Sequence, residues 1–308
     1  MALRGYYTVD EKNRIEGALL GMAIAEALEG PAGSGDTADL HIGGHTEMAF
    51  WVIEAMNAKE FSRQAFIDIL LGWHSEADPQ KLAAPYRTVY AACLNISEQQ
   101  ALTGEQEDTG IETSLDPGSA VRTVPLGLYY RKPEEVVTAA IESSGITHSN
   151  ELAVCSAVAT AYITHLALNG VPPGIWANEL VKVNYSTEFK KTIKLAAEAA
   201  GSSKPPKAVL AELGGGQTVD GAVAFALYSC MRHPRYELAV ALAVSANAPG
   251  AAAIAGAWSG ARQGVEAVPE SWASRLVERQ RVLDQADLLW RAKHGIPNPE
   301  KKDQLPTR

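Results

Sequence analysis

The sequence has few of the residues that build disulfide-bonded or membrane-spanning proteins. Its 308 residues include three cysteines, Cys93, Cys155 and Cys230, and each lies among apolar neighbours far from the other two. This spacing argues against a disulfide framework or a zinc cluster and fits a reducing compartment such as the cytoplasm. No apolar stretch reaches about 18 residues without a polar interruption, so we expect no membrane partner. The N-terminal segment also lacks the apolar run of a signal peptide.

Positive charge and strand-forming patterns are also scarce. The net charge is -9 and the pI is about 5.3, which argues against a nucleic-acid partner. A local pocket for an anionic ligand remains compatible with this negative net charge. Aromatic residues make up only 7% of the chain. Alanine is abundant, and this composition favours closely packed helices over a β-sandwich.

Apolar residues recur at three- and four-residue spacings along most of the chain, which predicts an all-α fold. We expect helices over 11–29, over 79–94 with a bend at Pro85, over 149–169 with Ser149 as its N-cap, and over 272–293. The polar stretch 102–115 is predicted to be a long loop. Residues 1–296 are predicted to form a single domain, followed by a polar C-terminal tail over 297–308.

The most informative segment is 245–250, which reads Ser-Ala-Asn-Ala-Pro-Gly and leads into a helix of small residues over 251–261. A second segment, 43–48, reads Gly-Gly-His-Thr-Glu-Met. Further blocks of small or turn-forming residues lie at 17–28, 116–127, 147–153 and 268–272. Several such blocks follow one another along the chain in a definite order, and chance is a poor explanation for that order.

In that order the blocks resemble the ADP-ribosylglycohydrolase family, of the type that includes the dinitrogenase-reductase-activating glycohydrolase. The resemblance extends from about Arg14 to Trp290 and implies a compact orthogonal multi-helix domain. It also implies hydrolysis of the glycosidic bond between ADP-ribose and a side chain or hydroxyl group. In the family, two Mg²⁺ ions held mostly by aspartates orient the ribose and the attacking water.

The chain departs from the family at the positions of the metal-binding aspartates. Four of them are replaced, by Gly44, His45, Asn247 and Pro249. A magnesium pair needs several hard oxygen ligands, mostly carboxylates, to offset its charge. Only Asn247 retains a side-chain oxygen, and it is neutral. We therefore predict no metal site and no cofactor, although the resemblance alone would imply magnesium.

Other titratable side chains near these blocks are candidates for acid–base chemistry. The candidate catalytic residues are Asp36, Asp39, His45, Glu47, Asp116 and His148. The spacing of His41 and His45 would suit a transition metal if both lay on one helical turn, but Gly43 and Gly44 argue against such a turn. The alternative is an ordinary polar loop, with Asp36 or Thr46 capping a helix.

Ligand binding is expected at the blocks 116–127 and 147–153 and at the segment 245–250. The candidate ligand-binding residues are Gly118, Ser119, Arg122, His148 and Asn247. A glycine-containing loop that leads into a helix offers free N–H groups to a ligand, and the resemblance assigns this segment and His148 to the ADP-ribose site. Two structural alternatives stay open. Arg122 could pair with a carboxylate, and His148 could hold the turn before its helix.

Three functions are compatible with this sequence. The first is a divergent family member without magnesium-dependent ADP-ribosyl hydrolysis, which binds a nucleotide-sugar, another small polar ligand or a protein partner. The second is a metal-independent hydrolase that cleaves a glycosidic bond with the acid–base groups named above. The third is a structural or regulatory antagonist of an ADP-ribosylating partner.

Overall fold

The computed structural model describes residues 4–30, 38–56, 60–103 and 109–297. Within these ranges the chain forms helices and no β-strand, which confirms the predicted all-α fold class. Two isolated backbone bridges join Leu40 to Leu276 and Met56 to Phe61. Asp36 and the end of the predicted tail, residues 298–308, lie outside the described residues.

Helices of very different length make up this fold. In chain order they are α1 (Arg4–Glu29), α2 (Gly44–Ala55), α3 (Arg63–Glu76), α4 (Arg87–Thr103), α5 (Gly118–Val121), α6 (Val124–Tyr129), α7 (Pro133–Gly145), α8 (Glu151–Leu168), α9 (Pro173–Val183), α10 (Thr187–Ala200), α11 (Pro206–Glu212), α12 (Val219–Arg232), α13 (Tyr236–Val244), α14 (Ala251–Gln263), α15 (Glu270–Ala273) and α16 (Arg279–His294). A 3₁₀ turn over Ala84–Tyr86 immediately precedes α4.

Three local predictions were wrong, and each has a physical reason. The segment 79–94 is not one bent helix, because Pro85 starts a 3₁₀ turn and the α-helix begins only at Arg87. The predicted helix over 272–293 is interrupted, because the bridge to Leu40 removes Leu276 and its neighbours from helical hydrogen bonding. The N-cap of α8 is Asn150, whose side chain accepts a hydrogen bond from the Leu152 N–H at 2.9 Å.

The long helix α8 lies inside the protein. Its length and composition would allow it to cross a membrane, but 83% of it is buried among the other helices. Buried side chains occur on all of its faces, as in the core helix of a soluble protein. Most of the buried apolar side chains join one continuous cluster that extends from Ile15 in α1 to Leu289 in α16.

Helices α1 and α14 approach each other more closely than ordinary side chains would allow. A Cβ atom on Gly260 would lie 1.9 Å from the carbonyl oxygen of Gly17, and one on Gly256 would lie 2.2 Å from that of Gly21. The pairing of Gly17 with Gly260 and of Gly21 with Gly256 shows that the two helices are antiparallel. The C-terminal end of α1 is therefore brought to the N-terminal end of α14.

We predict that Gly260→Ala lowers the free energy of unfolding by at least about 2 kcal/mol, because the new methyl group meets backbone atoms that cannot rotate away. Gly72→Ala in α3 is the matched control. A Cβ there meets nothing within 4 Å, so the better helix propensity of alanine should stabilise the protein by about 0.5–1 kcal/mol. Urea unfolding measures both changes. Equal effects of the two substitutions would contradict the close contact.

Candidate functional site

Two carboxylates near the C-terminal end of α1 cap the N-termini of two other helices. Glu26 binds the first backbone N–H groups of α2, and Glu29 binds those of α14. Helix N-termini carry a partial positive charge and unpaired N–H donors, so an anionic side chain there is stabilising. The spacing of three residues places both carboxylates on the same side of α1.

Glu26 is almost fully buried, and hydrogen bonds surround its carboxylate. Its Oε1 accepts the backbone N–H of His45 at 2.9 Å and lies 2.9 Å from the Nδ1 atom of the same residue. Its Oε2 accepts the backbone N–H of Thr46 at 2.8 Å and the Thr46 hydroxyl at 2.6 Å. Gly43 makes room for this arrangement, because a Cβ on it would lie 2.3 Å from the Glu26 carboxyl. Burial raises the pKa of Glu26, but these contacts lower it more, so the group stays ionised.

His45 is the partner of Glu26 on α2 and is itself buried. Burial lowers the pKa of its imidazole, but the hydrogen bond and charge of Glu26 raise it, and the charges of Glu29 and Asp116 add to that effect. The net pKa lies above the usual histidine value. The other ring nitrogen, Nε2, is buried and has no hydrogen-bond partner among the described residues.

Glu29 holds the start of α14. Its Oε1 accepts the Ala252 N–H at 2.9 Å, and its Oε2 accepts the Gly250 N–H at 3.3 Å. Burial raises the pKa of this carboxyl to about 7, although the two backbone donors and the charge of His45 oppose that shift. Glu29 is therefore the one acid in this region that holds its proton near neutral pH.

Asp116 lies at the loop that leads into α5. Its Oδ1 accepts the Gly118 N–H at 2.9 Å, and its Oδ2 accepts the Ser114 hydroxyl at 2.9 Å and the hydroxyl of Thr88. Burial raises the pKa of Asp116, but His148 and these donors lower it by more, so the net pKa lies well below its usual range. Asp116 is therefore ionised at neutral pH.

His148 is fully buried in the turn between α7 and α8. Its Nδ1 lies 2.8 Å from the Thr147 hydroxyl, and its Nε2 lies 3.3 Å from the Asp116 Oδ1 without an aligned hydrogen bond. Burial lowers the pKa of His148 more than the contact with Asp116 raises it, and Arg122 lowers it further. The imidazole is therefore mainly neutral at pH 7.

Glu26, Glu29, His45, Asp116 and His148 together form what we call the acid–histidine cluster. The charges of Glu29 and Asp116 both act on His45, and a Cβ on Gly250 would lie 2.8 Å from Pro117, which follows Asp116 in the chain. The cluster thus joins α1, the start of α2, the loop before α5, the turn before α8 and the start of α14.

The predicted site residues divide between this cluster and other places. His45, Asp116, His148 and Gly118 lie in it or beside it. Asp39 is exposed to solvent. The Glu47 carboxylate forms an ion pair with the Arg281 guanidinium, at 2.6 and 3.0 Å, and is thereby drawn toward α16.

The remaining predicted ligand-binding residues lie at very different depths. Ser119 and Arg122 are fully buried. The Arg122 guanidinium donates hydrogen bonds to Ser143 and lies 5.2 Å from the Phe66 ring, and among the described residues it forms no ion pair with a carboxylate. Burial lowers its pKa to about 10, although Asp116 raises it. Asn247 is exposed and has a left-handed backbone, with φ of 50°.

The sequence interpretation missed both carboxylates of α1 as site residues. Glu26 and Glu29 stand at the end of a helix of small residues, three positions apart and just before a glycine-rich loop. The signal that the sequence offered was this pair of acids on one face of α1, which comes shortly before the replaced aspartates at positions 44 and 45 in the chain. Burial of Glu26 could not be read from the sequence, because its partners lie about twenty residues further along the chain.

The donor set at the acid–histidine cluster does not fit a magnesium pair. Four N–H or O–H donors already occupy the carboxylate of Glu26, two backbone donors hold Glu29, and three donors hold the partly exposed Asp116. Asn247 is exposed and carries an amide instead of a carboxylate. Magnesium requires carboxylate oxygens that are free to face the ion. Within the described ranges, no group of three or more His, Cys, Asp or Glu side chains has the arrangement of a metal site.

The raised pKa of Glu29 makes stability depend on pH in a defined direction. The folded protein keeps this proton up to about pH 7, whereas the unfolded chain releases it near 4.5. Stability should therefore be lost as pH rises through that window. We predict that the free energy of unfolding of the wild type, minus that of Glu29→Gln, falls by roughly 3 kcal/mol between pH 4.5 and pH 7. Urea unfolding over a pH series measures this difference. A difference that is constant with pH would contradict the assignment.

Comparison with known proteins agrees with this architecture. The model of the ADP-ribosylglycohydrolase family matches residues 8–298. The chain is similar to ADP-ribosylhydrolase ARH3 of Mus musculus, with 26% identity over 291 residues that cover 82% of this chain and 78% of the relative. It is also similar to ADP-ribosylhydrolase ARH3 of Homo sapiens, with 24% identity over 304 residues that cover 87% and 83%.

A solved structure described as an ADP-ribosylglycohydrolase-related protein complex shares the fold. Its TM-score is 0.71 at 21% identity, and the match covers 92% of this chain and 99% of that one. The family match spans nearly the whole sequence, and the residues of the acid–histidine cluster lie within it. The chain therefore belongs to the ADP-ribosylglycohydrolase family.

Proposed function

We propose that this chain is a divergent family member that binds a nucleotide-sugar, or another small polar ligand, without catalysing magnesium-dependent ADP-ribosyl hydrolysis. The observation that carries the proposal is the state of the acid–histidine cluster. Its carboxylates hold helix N-termini and the His45 imidazole, so they are already bonded within the protein. The expected cytoplasmic location belongs to this proposal too, since the three cysteines are free and buried.

The ligand class follows from the relatives and from the polar groups of the cluster. The mouse and human relatives are named ADP-ribosylhydrolases, which makes ADP-ribose the first ligand to test. Asp116 can accept a hydrogen bond from a sugar hydroxyl, and its side chain is about a quarter exposed. The two imidazoles of the cluster add ring nitrogens that lack an aligned partner.

We predict that ADP-ribose binds equally well in excess EDTA and in excess Mg²⁺, because no part of the cluster needs the ion. Isothermal titration calorimetry measures the affinity, and release of ADP-ribose from an ADP-ribosylated peptide or O-acetyl-ADP-ribose measures hydrolysis. The mouse relative serves as the reference enzyme. Magnesium-stimulated turnover within about tenfold of that enzyme would contradict the proposal.

A second candidate function is metal-free hydrolysis of a glycosidic bond. It is favoured by one observation, the separation of two pKa values within the cluster. Glu29 keeps its proton to about pH 7, while Asp116 stays ionised. A protonated carboxyl group and an ionised carboxylate in one site form the pattern of acid–base catalysis. Of the other candidate acids, Asp39 is exposed to solvent and Glu47 is paired with Arg281.

The two candidates make different predictions for hydrolysis in EDTA. If the chain only binds its ligand, ADP-ribosyl and other glycosyl substrates remain intact in long incubations with stoichiometric protein. Slow turnover that Asp116→Asn abolishes would favour the metal-free hydrolase. Failure of ADP-ribose to bind, together with capture of an ADP-ribosylating protein in a pull-down, would instead favour the regulatory role.

A further inference from the structure

The Nε2 atom of His45 is a buried polar atom with no partner in the described structure. The rest of the residue is tightly held, since its backbone N–H and its Nδ1 both contact the Glu26 Oε1 at 2.9 Å. Folded proteins satisfy nearly all buried polar atoms, so an isolated one at a fixed position indicates a partner that the protein does not supply.

The contact with Glu26 determines what kind of partner this is. A carboxylate oxygen accepts hydrogen bonds, so the Nδ1 atom that faces it must carry hydrogen. The negative charges of Glu26 and Asp116 favour a second proton on the ring, and Glu29 adds to this effect once it ionises. An imidazole protonated at both nitrogens is a cation that donates through Nε2, so the missing partner is a hydrogen-bond acceptor.

His45 and Gly44 stand where the resemblance places two metal-binding aspartates. A side chain at Gly44 would be crowded, because a Cβ on it would lie 3.0 Å from Pro85 and 3.1 Å from the Tyr86 ring. Pro85 and Tyr86 thus lie close beside α2 at the position of one acidic ligand. The positive charge at this point comes from His45 itself.

We propose that the His45 imidazolium takes the place of a bound magnesium ion as the positively charged group of this site, with Glu26 fixing the ring through Nδ1 and the Nε2–H donating to an oxygen of the ligand. This inference rests on the ligand-binding function proposed above and names the group that makes the contact. It follows from the mismatch between the donor set and magnesium, and it gives the buried Nε2 its acceptor.

The ligand oxygen is that of a sugar hydroxyl. Glu26, Glu29 and Asp116 place three carboxyl groups around His45, and at least two of them are ionised. A phosphate would be repelled by this surplus of negative charge. A hydroxyl carries no charge, accepts from the Nε2–H and can donate to a carboxylate such as Asp116.

Two substitutions of His45 test its two proposed contacts separately, the one through Nδ1 with Glu26 and the one through Nε2 with the ligand. The amide of asparagine can take the position of Nδ1 and keep the bond to Glu26, but it has nothing at Nε2. The amide of glutamine can reach the position of Nε2 but gives up the contact with Glu26. His41→Asn is the matched control, because His41 also pairs with a glutamate, Glu278, at 3.0 Å, but on the exposed surface.

We expect His45→Asn to weaken ADP-ribose binding about tenfold in calorimetry, with a thermal unfolding midpoint close to that of the wild type. His45→Gln should retain most of the affinity but unfold at a lower temperature, and Glu26→Gln should also unfold at a lower temperature. The control should change neither quantity. Wild-type affinity in His45→Asn, or equal weakening by asparagine and glutamine, would overturn the inference.

A second readout keeps the inference separate from the proposed function. The ¹⁵N spectrum of the imidazole should show His45 protonated on both nitrogens at pH 7 in the wild type, and neutral in Glu26→Gln. A neutral His45 in the wild type overturns the ion pair whether or not any ligand binds. A wild type that shows the imidazolium but does not bind ADP-ribose instead counts against the proposed function.

Discussion

The close antiparallel contact of α1 with α14 is the constraint from which the site follows. Gly17 and Gly21 face Gly260 and Gly256 with so little space between the backbones that no side chain fits. Such a contact allows one register, because a shift along either helix would bring side chains into the gap. Once this register is set, the last turn of α1 must lie against the first turn of α14.

That geometry explains why two carboxylates of one helix can organise two other helices. Glu29 reaches the N–H groups at the start of α14, and Glu26, one turn earlier, reaches those of α2. Each helix N-terminus offers donors and a partial positive charge, which together stabilise a buried acid. In the family that the sequence resembles, aspartates at these same helix ends would be joined by magnesium ions. In this chain Glu26 contacts His45 at the start of α2, and Glu29 holds the start of α14.

The sequence was sufficient for the fold class and for part of the site. Helical periodicity predicts the all-α architecture, and the ordered motifs predict the family, which the match over 8–298 confirms. Local errors arose where long-range contacts override local preference, as at Leu276, which a bridge to Leu40 removes from a helix. The roles of Glu26 and Glu29 were not predictable, because ordinary surface helices also carry acids three residues apart. Only the packing of α1 shows that these two are turned toward helix ends.

The central claim is that His45 and its carboxylate partner exclude magnesium from this position. Anomalous diffraction from crystals grown with excess Mn²⁺, a close substitute for Mg²⁺, tests it most directly. We predict no anomalous peak within coordinating distance of Glu26, Asp116 or Asn247, and an intact contact between the His45 Nδ1 and the Glu26 Oε1. Two peaks about 4 Å apart, with His45 displaced from Glu26, would contradict the account.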